Sequence, residues 1–200
     1  MDIFVINFFL MLNIVLFGKP GAGKGTQAEF LKSKYQLVHL STGDLFRKNI
    51  SEKTKLGLLA QSYMDKGDLV PDQVTIDMLE SAFKKYPQAK GFIFDGFPRT
   101  KAQAEALDDF LEKQIMMIKA TIALEADDSL LVERLLERGK TSGRSDDYDV
   151  QKITNRFQEY DQKTAPVKKY YQSQKKFYSI NGIGTIPEIT QRLSALIETL

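Results

Sequence analysis

The sequence predicts an α/β fold built on an open parallel sheet, and three observations carry that prediction. Short apolar runs recur at residues 13–17, 36–40, 91–94, 116–124 and 177–180, helical spacing fills the intervals between them, and a glycine cluster closes the first run. Strands alternating with helical stretches favour a parallel sheet covered by helices. Two hundred residues with 42% apolar content suit one domain with small insertions and a substantial core.

The first run, Asn13 to Phe17 in apolar and partly β-branched residues, leads into Gly18-Lys-Pro-Gly-Ala-Gly-Lys-Gly-Thr-Gln. Glycine at 18, 21, 23 and 25 removes side chains where backbone N–H groups approach an anion, and Lys24 adds a point charge. Gly18-x-x-x-x-Gly23-Lys24 fits the phosphate-loop signature, with Gly25 in the usual Ser/Thr place and Thr26 one position later. This variant resembles the phosphate loop of adenylate kinases and their nucleoside-monophosphate kinase relatives. Lys19 stands where that family varies and takes no assigned role. Residues 25–35 then have helical spacing, with Ala28, Leu31 and Tyr35 on one side and the helix amino terminus aimed at the phosphates.

Residues 36–40 form the second strand candidate, in which His39, the sole histidine, reads as a packed residue rather than an acid–base group. In Ser41-Thr-Gly-Asp-Leu-Phe-Arg47 the residues alone suggest a helix cap at Ser41 or Thr42 and an exposed Arg47. Helical stretches run to Lys66, and Gly67-Asp-Leu-Val-Pro71 makes a turn. Beside the phosphate loop these residues resemble the AMP-binding insertion of the same family. The resemblance implies AMP contacts through Thr42, Arg47 and the backbone at Asp68, Leu69 and Val70.

Pro71 opens a scaffold helix over 71–86, with Val74, Met78, Leu79 and Ala82 at helical spacing. The strand at 91–94 ends in Asp95-Gly-Phe-Pro-Arg99, and ligands gather at the carboxyl ends of parallel strands. This string is also a hallmark of nucleoside-monophosphate kinases. The resemblance implies that Asp95 holds waters of a magnesium ion, that Arg99 grips the monophosphate, and that Gly96, Phe97 and Pro98 line it. Thr100-Lys-Ala-Gln103 fits a capping box, so Gln103 has a structural task, and it also aligns with the glutamine that reads adenine of AMP. The two roles are compatible.

After the strand at 116–124 a helix starts near Ala126, with Asp127 and Asp128 suited to its amino terminus. It carries Arg134 and Arg138 four apart on one face. Like charges so placed are mildly unfavourable unless an anion or a partner such as Glu137 lies over them. Residues 139–147 read as a flexible polar loop containing Arg144, Asp146 and Asp147. Arg-x-Asp-Asp after such a loop resembles the short lid of adenylate kinases, without the zinc knuckle of long forms, and the aspartates read as latches and arginine orienters. Residues 149–174 form a long helix or helix pair capped by Asp149, carrying Arg156 and interrupted near Pro166. A last strand at 177–180 precedes a glycine loop at 182–184 and a helix capped by Thr185 and Glu188. In the family that loop meets the ATP adenine through backbone groups, here at Gly184.

Lys+Arg 28 against Asp+Glu 26 gives a net charge of +2, which offers no general case for nucleic acid or membrane partners. Cysteine is absent, so no disulfide or thiolate zinc site is available, and a reducing cytoplasm suits the chain. The chain has 21 lysines but only seven arginines, and six of the seven (all but Arg192) fall in the family's phosphate-contacting motifs. Planar guanidinium is favoured where phosphate is held bidentately. The apolar residues 1–10 lack a basic leader region and a cleavage site, and with 11–17 they are too short and asparagine-interrupted for a membrane span. They are expected to be an extension from an upstream start ahead of a functional Met11.

The resemblance covers Leu12 to about Ile197. It implies a three-layer phosphate-loop NTPase fold with a central parallel five-stranded sheet and a core at 11–40, 71–138 and 149–200. A monophosphate-binding insertion spans 41–70 and a short lid 139–148. The implied reaction is reversible Mg2+-dependent phosphoryl transfer from ATP to AMP, giving two ADP, in a cytoplasmic monomer without zinc. Gly21, Ala22, Gly23, Lys24, Gly25, Thr26, Arg134, Arg138 and Gly184 would bind ATP. Arg99 and Arg47 would hold AMP, with Arg144 and Arg156 bridging to the transferring group. A UMP/CMP kinase on the same fold, a nucleotide-sensing switch and a membrane-associated kinase are the alternatives. Thr42 and Gln103 disfavour the first of them, since pyrimidine-specific relatives tend to carry Ala and Asn there.

Overall fold

A computed structural model describes residues 11–144 and 146–200. The segment 1–10, with its reading as an upstream extension, lies outside the described residues.

Strand β1 (Ile14–Phe17) is buried throughout and runs through the phosphate loop into helix α1 (Lys24–Tyr35). Gln36 then takes a left-handed conformation (φ 56°) as the cap of α1, so β2 (Val38–Ser41) starts two residues later than the apolar run suggests. Ser41 caps α2 (Thr42–Ser51) by accepting the Asp44 N–H, and Thr54 caps α3 (Lys55–Met64) by accepting the Gly57 N–H. Pro71 occupies the cap position of α4 (Asp72–Phe83). Beyond Phe83 the backbone tightens into i→i+3 bonds, Lys85 to Ala82 and Tyr86 to Phe83, so the helix stops short of residue 86.

The second half continues with β3 (Phe92–Asp95), α5 (Lys101–Glu112) and β4 (Ala120–Glu125). Strand β4 begins at Ala120, not Met116, because the chain must first leave the turn at Ile115 (φ 60°) and come alongside Ile14. Helix α6 (Asp128–Ser142) is longer than expected, running through Gly139 to end at a left-handed Gly143 (φ 66°). Asp149 caps α7 (Val150–Glu159) by accepting the Gln151 N–H. A π-turn (Tyr160–Thr164) follows, then α8 (Val167–Ser173) and β5 (Phe177–Asn181). The wide turn bonds Ala165 N–H to Tyr160 C=O at 2.7 Å, which accommodates Pro166, a residue with no donor of its own. The last helix, α9 (Ile186–Ile197), carries the expected Thr185–Glu188 capping box.

The strands pair in the order β2-β3-β1-β4-β5, all parallel. Leu16 and Ser41 both lie in register with Asp95, so the carboxyl ends of the first three strands reach one level. Alternation divides the side chains between two cores. Ile14, Leu16 and Ile93 pack with Leu31, Leu131, Leu135, Ile153 and Leu193, whereas Val15, Phe17, Phe92 and Phe94 pack with Leu79, Leu107, Leu111 and Tyr171. Each such burial contributes roughly 1.5–3 kcal/mol, which places most of the stability in the sheet and its two helical layers. Phe46, Ala60, Val70 and Met78 form a third, smaller core under the 41–70 segment.

Asn13 is fully buried at the entry to β1. Its Nδ2 donates to Met117 C=O at 3.1 Å and its Oδ1 accepts the Phe92 N–H at 3.1 Å, clasping the approaches to both neighbouring strands. Asn13→Ala leaves the Met117 carbonyl without this donor and is expected to cost about 1–3 kcal/mol, read from equilibrium urea unfolding. A loss under about 0.5 kcal/mol would mean that the clasp contributes little beyond the backbone ladder.

Candidate active site

The phosphate loop follows from how closely it passes other backbone. A Cβ at Gly18 (φ 139°) would lie 2.7 Å from Leu124 O, and one at Gly21 (φ 86°) 2.8 Å from Leu131 O. These two glycines let the loop pack on β4 and α6. A Cβ at Gly23 (φ 88°) would meet nothing within 4 Å, so that residue faces open space at the α1 amino terminus. The anion-facing role expected for all four glycines is therefore divided between packing and approach. Ala22 is buried, with its N–H on Lys19 C=O at 3.1 Å.

Lys24 is buried and donates from Nζ to Gly18 C=O at 2.7 Å and Lys19 C=O at 3.2 Å. Burial, against the pull of Asp95 and with the push of Arg99, Arg156 and Arg138, lowers its pKa to about 8. Asp95, at the end of β3, is held below the usual carboxylate range: burial opposes ionisation, but His39, Lys24 and Arg99 outweigh it. His39 is packed as expected, yet between carboxylates, its Nδ1 3.2 Å from Glu29 and its Nε2 3.4 Å from Asp95. That Nε2 is buried without an aligned hydrogen bond. Burial lowers the imidazole pKa, but Asp95 and Glu29 raise it further.

Arg99 reaches back across a cis Phe97–Pro98 peptide, donating from Nε to Gly96 C=O at 2.7 Å; the Thr42 hydroxyl donates to the same oxygen at 2.9 Å. Burial first, then Arg156 and Arg47 against Asp95, brings its pKa down to about 10. Thr100 accepts the Gln103 N–H, as the capping box requires, but Gln103 Oε1 accepts the Arg99 N–H at 2.7 Å, one residue beyond the reciprocal position. Its Nε2 donates to Asp72 at 2.8 Å, and the Thr100 hydroxyl takes the other Asp72 oxygen at 2.8 Å. Nothing in the sequence marks Asp72 as a partner, since it arrives from the start of a different helix.

Asp146 and Asp147 act on arginines. Arg138 donates from Nε to Asp147 Oδ2 at 2.7 Å, and Arg156 donates from Nη1 to Asp147 Oδ1 at 2.7 Å and lies 3.1 Å from Asp146 Oδ2. A Cβ at Gly139 would lie 2.9 Å from Asp147 O, so this glycine sits inside a helix and lets Asp147 approach, instead of loosening the chain as expected. Asp44 binds Arg47 and lies 3.5 Å from Arg144. Asn155 holds the 41–70 segment by donating to Lys66 C=O at 2.8 Å and Asp68 at 3.0 Å.

One cleft gathers Gly21, Gly23, Lys24, Gly25, Thr26, Asp95 and Gly96 with Arg47, Arg99, Arg138, Arg144 and Arg156. It adjoins a more apolar recess lined by Thr42, Phe46, Met64, Asp68, Leu69, Val70, Phe97, Pro98 and Gln103. Arg134 and Gly184 line neither; Arg134 points both terminal nitrogens at Gly182 C=O at 3.4 Å, beside the glycine loop. Among the described residues no group of three or more His, Cys, Asp or Glu could hold a metal ion, and no helix is long and apolar enough to cross a membrane.

The family model described as adenylate kinase matches residues 16–176. The chain is 68% identical to an adenylate kinase of Flavobacterium psychrophilum and 62% to one of Flavobacterium johnsoniae, each over 190 residues, 95% of this chain and all of the relative. It is 44% identical to an adenylate kinase of Bacteroides fragilis over the same shares. A match across that length, on a chain whose phosphate loop and arginines share one cleft, places it: the chain belongs to the adenylate kinase family.

Proposed function

We propose that this chain catalyses reversible transfer of the terminal phosphoryl group of ATP to AMP, giving two ADP, with Lys24 and the loop amides on the donor and Arg99 and Arg47 on the acceptor phosphate. The observation that carries the reading is the cleft shared by the phosphate loop and the arginines. An oxygen of the AMP phosphate attacks the γ-phosphorus, and the bond to the β–γ bridging oxygen breaks with ADP as leaving group. With a phosphate second pKa of about 6 the attacking oxygen is already deprotonated, so no general base is required. The two nucleotides carry roughly six negative charges, and catalysis amounts to neutralising and aligning them. Arg138 and Arg134 border ATP, while Arg144 and Arg156 bridge to the transferring group; Asp147 keeps Arg138 and Arg156 in place, Asp146 adds to its hold on Arg156, and Arg144 faces Asp44.

The ionised Asp95 facing the Gly25 side of the loop, which belongs to no cluster of three or more metal-ligating side chains among the described residues, suits magnesium held chiefly by phosphate oxygens and waters. When bound with the nucleotide, that ion neutralises the β- and γ-oxygens. Thr42, Gln103 and the backbone of residues 68–70 and 96–98 would surround the AMP base and phosphate, and Gly184 the ATP base. The insertion 41–70 and the lid 139–148, whose first turn continues α6, would close on the core and exclude water. A cytoplasmic monomer belongs to the same reading.

Coupled turnover with Mg-ATP against AMP, CMP, UMP and GMP tests the acceptor, with strong preference for AMP expected; a preference for CMP or UMP overturns the base readout by Thr42 and Gln103. Arg99→Ala is expected to lower kcat/KM about 10²–10³-fold in a folded protein, and near-normal turnover would remove Arg99 from the acceptor site. Bound phosphates favour the Lys24 ammonium, so ATP binding takes up a proton once pH exceeds about 8, and kcat/KM for ATP falls as pH rises through that value. A profile flat from about pH 7 to about pH 10 would remove that titration from Lys24.

A further inference from the structure

Lys19 stands in the phosphate loop but outside the residues that line the cleft. Its Nζ donates to both oxygens of Asp128, at 3.0 and 2.9 Å, and lies 3.0 Å from Asp161 Oδ2 and 5.3 Å from the centroid of the Phe157 ring. The lysine side chain is 19% exposed, against more than half for each carboxylate. This differs from an ordinary surface pair, because one ammonium joins two segments of chain to a third and rests on an aromatic face.

The three segments are those that carry Lys24, the Arg134 and Arg138 pair, and the bridging Arg156. Asp128 opens α6, the helix of Arg134 and Arg138; Asp161 lies in the π-turn that continues α7, the helix of Arg156. The same π-turn touches the site twice more: the Tyr160 hydroxyl meets the Gly18 backbone, and the Thr164 hydroxyl donates to Arg99 C=O at 3.0 Å. Lys19 also governs the loop from within, since its carbonyl accepts both the Ala22 N–H and the Lys24 ammonium.

We propose that Lys19 is a positioning residue for donor binding: the Asp128–Lys19–Asp161 bridge holds the phosphate loop, the start of α6 and the π-turn in one frame, so that Lys24, Arg138 and Arg156 meet the same triphosphate. The inference rests on the reading of the cleft as the ATP site. Without the ammonium, Asp128 and Asp161 are left as neighbouring like charges, which drives the start of α6 and the π-turn apart.

The test measures Kd for ATP by calorimetry, KM for ATP and for AMP, and melting temperature in the parent and in four variants. Lys19→Met is expected to raise Kd and KM for ATP about five-fold and KM for AMP less than about two-fold. Lys19→Arg keeps the parent values. Adding Asp161→Asn to Lys19→Met recovers part of the ATP affinity, because it removes the repulsion. Asp161→Asn alone, which leaves Asp128 on the lysine, weakens ATP about two-fold and serves if Lys19→Met does not fold. Unchanged ATP constants, with or without a lower melting temperature, overturn the proposal, as do equal rises for ATP and AMP or a double variant no tighter than Lys19→Met. A parent that binds ATP but transfers nothing to AMP would instead overturn the proposed reaction, while calorimetry still decides Lys19.

Discussion

Lys24, Arg99, Arg138, Arg144 and Arg156 are held around one cleft, and their mutual repulsion is the constraint on which the remaining architecture depends. It is felt most at Lys24 and Arg99, whose protons burial and neighbouring guanidiniums make easier to lose. Cations at such distances do not stay together by themselves when water is excluded, because the field between them grows as the dielectric falls. Four of them stay because each is mounted on a different rigid element, Lys24 on α1, Arg99 after β3, Arg138 on α6 and Arg156 on α7, while Arg144, just past the end of α6, faces Asp44. The parallel sheet brings the ends of those elements to one edge, so burial of the two cores supplies the energy that opposes the repulsion.

The carboxylates divide the remaining work. Asp147, fully buried, accepts from both Arg138 and Arg156 and fixes the angle between two guanidiniums arriving from separate helices. Asp44 does something similar at the surface for Arg47 and Arg144. Asp95 stays ionised beside His39, Lys24 and Arg99. Together they leave the cleft with more positive than negative charge, a surplus that suits a polyanion. A site of this kind binds phosphate strongly because its cations are oriented beforehand and need little reorganisation.

Close backbone approach sets the tolerances. Gly18 and Gly21 let the phosphate loop lie on β4 and α6, and Gly139 lets Asp147 reach its arginines. The π-turn after α7 works in the same way on a larger scale. It turns Tyr160, Asp161 and Thr164 toward the loop and toward Arg99, joining the phosphate loop and the Arg99 side of the cleft through one short stretch of chain.

The sequence alone determined the alternation of strands and helices and the phosphate loop, because those depend on local periodicity and on residues adjacent in the chain, whereas the arginines worth following came from the resemblance to the family. Capping by Ser41, Thr100, Asp149 and Thr185 was legible for the same reason, each cap being settled within a few residues. Boundaries were less legible where a distant partner decides them, as when β4 waits for Ile14 and α6 runs on through Gly139 beneath Asp147. Only the tertiary structure decided that Asp72 would hold Gln103 and Thr100, that His39 would lie against Asp95, that Arg134 would stand apart from the main cleft, and that Lys19 would bridge two carboxylates. Those contacts join groups from elements far apart in the chain, and no local propensity records a partner that only the packing of the sheet and its helices brings near.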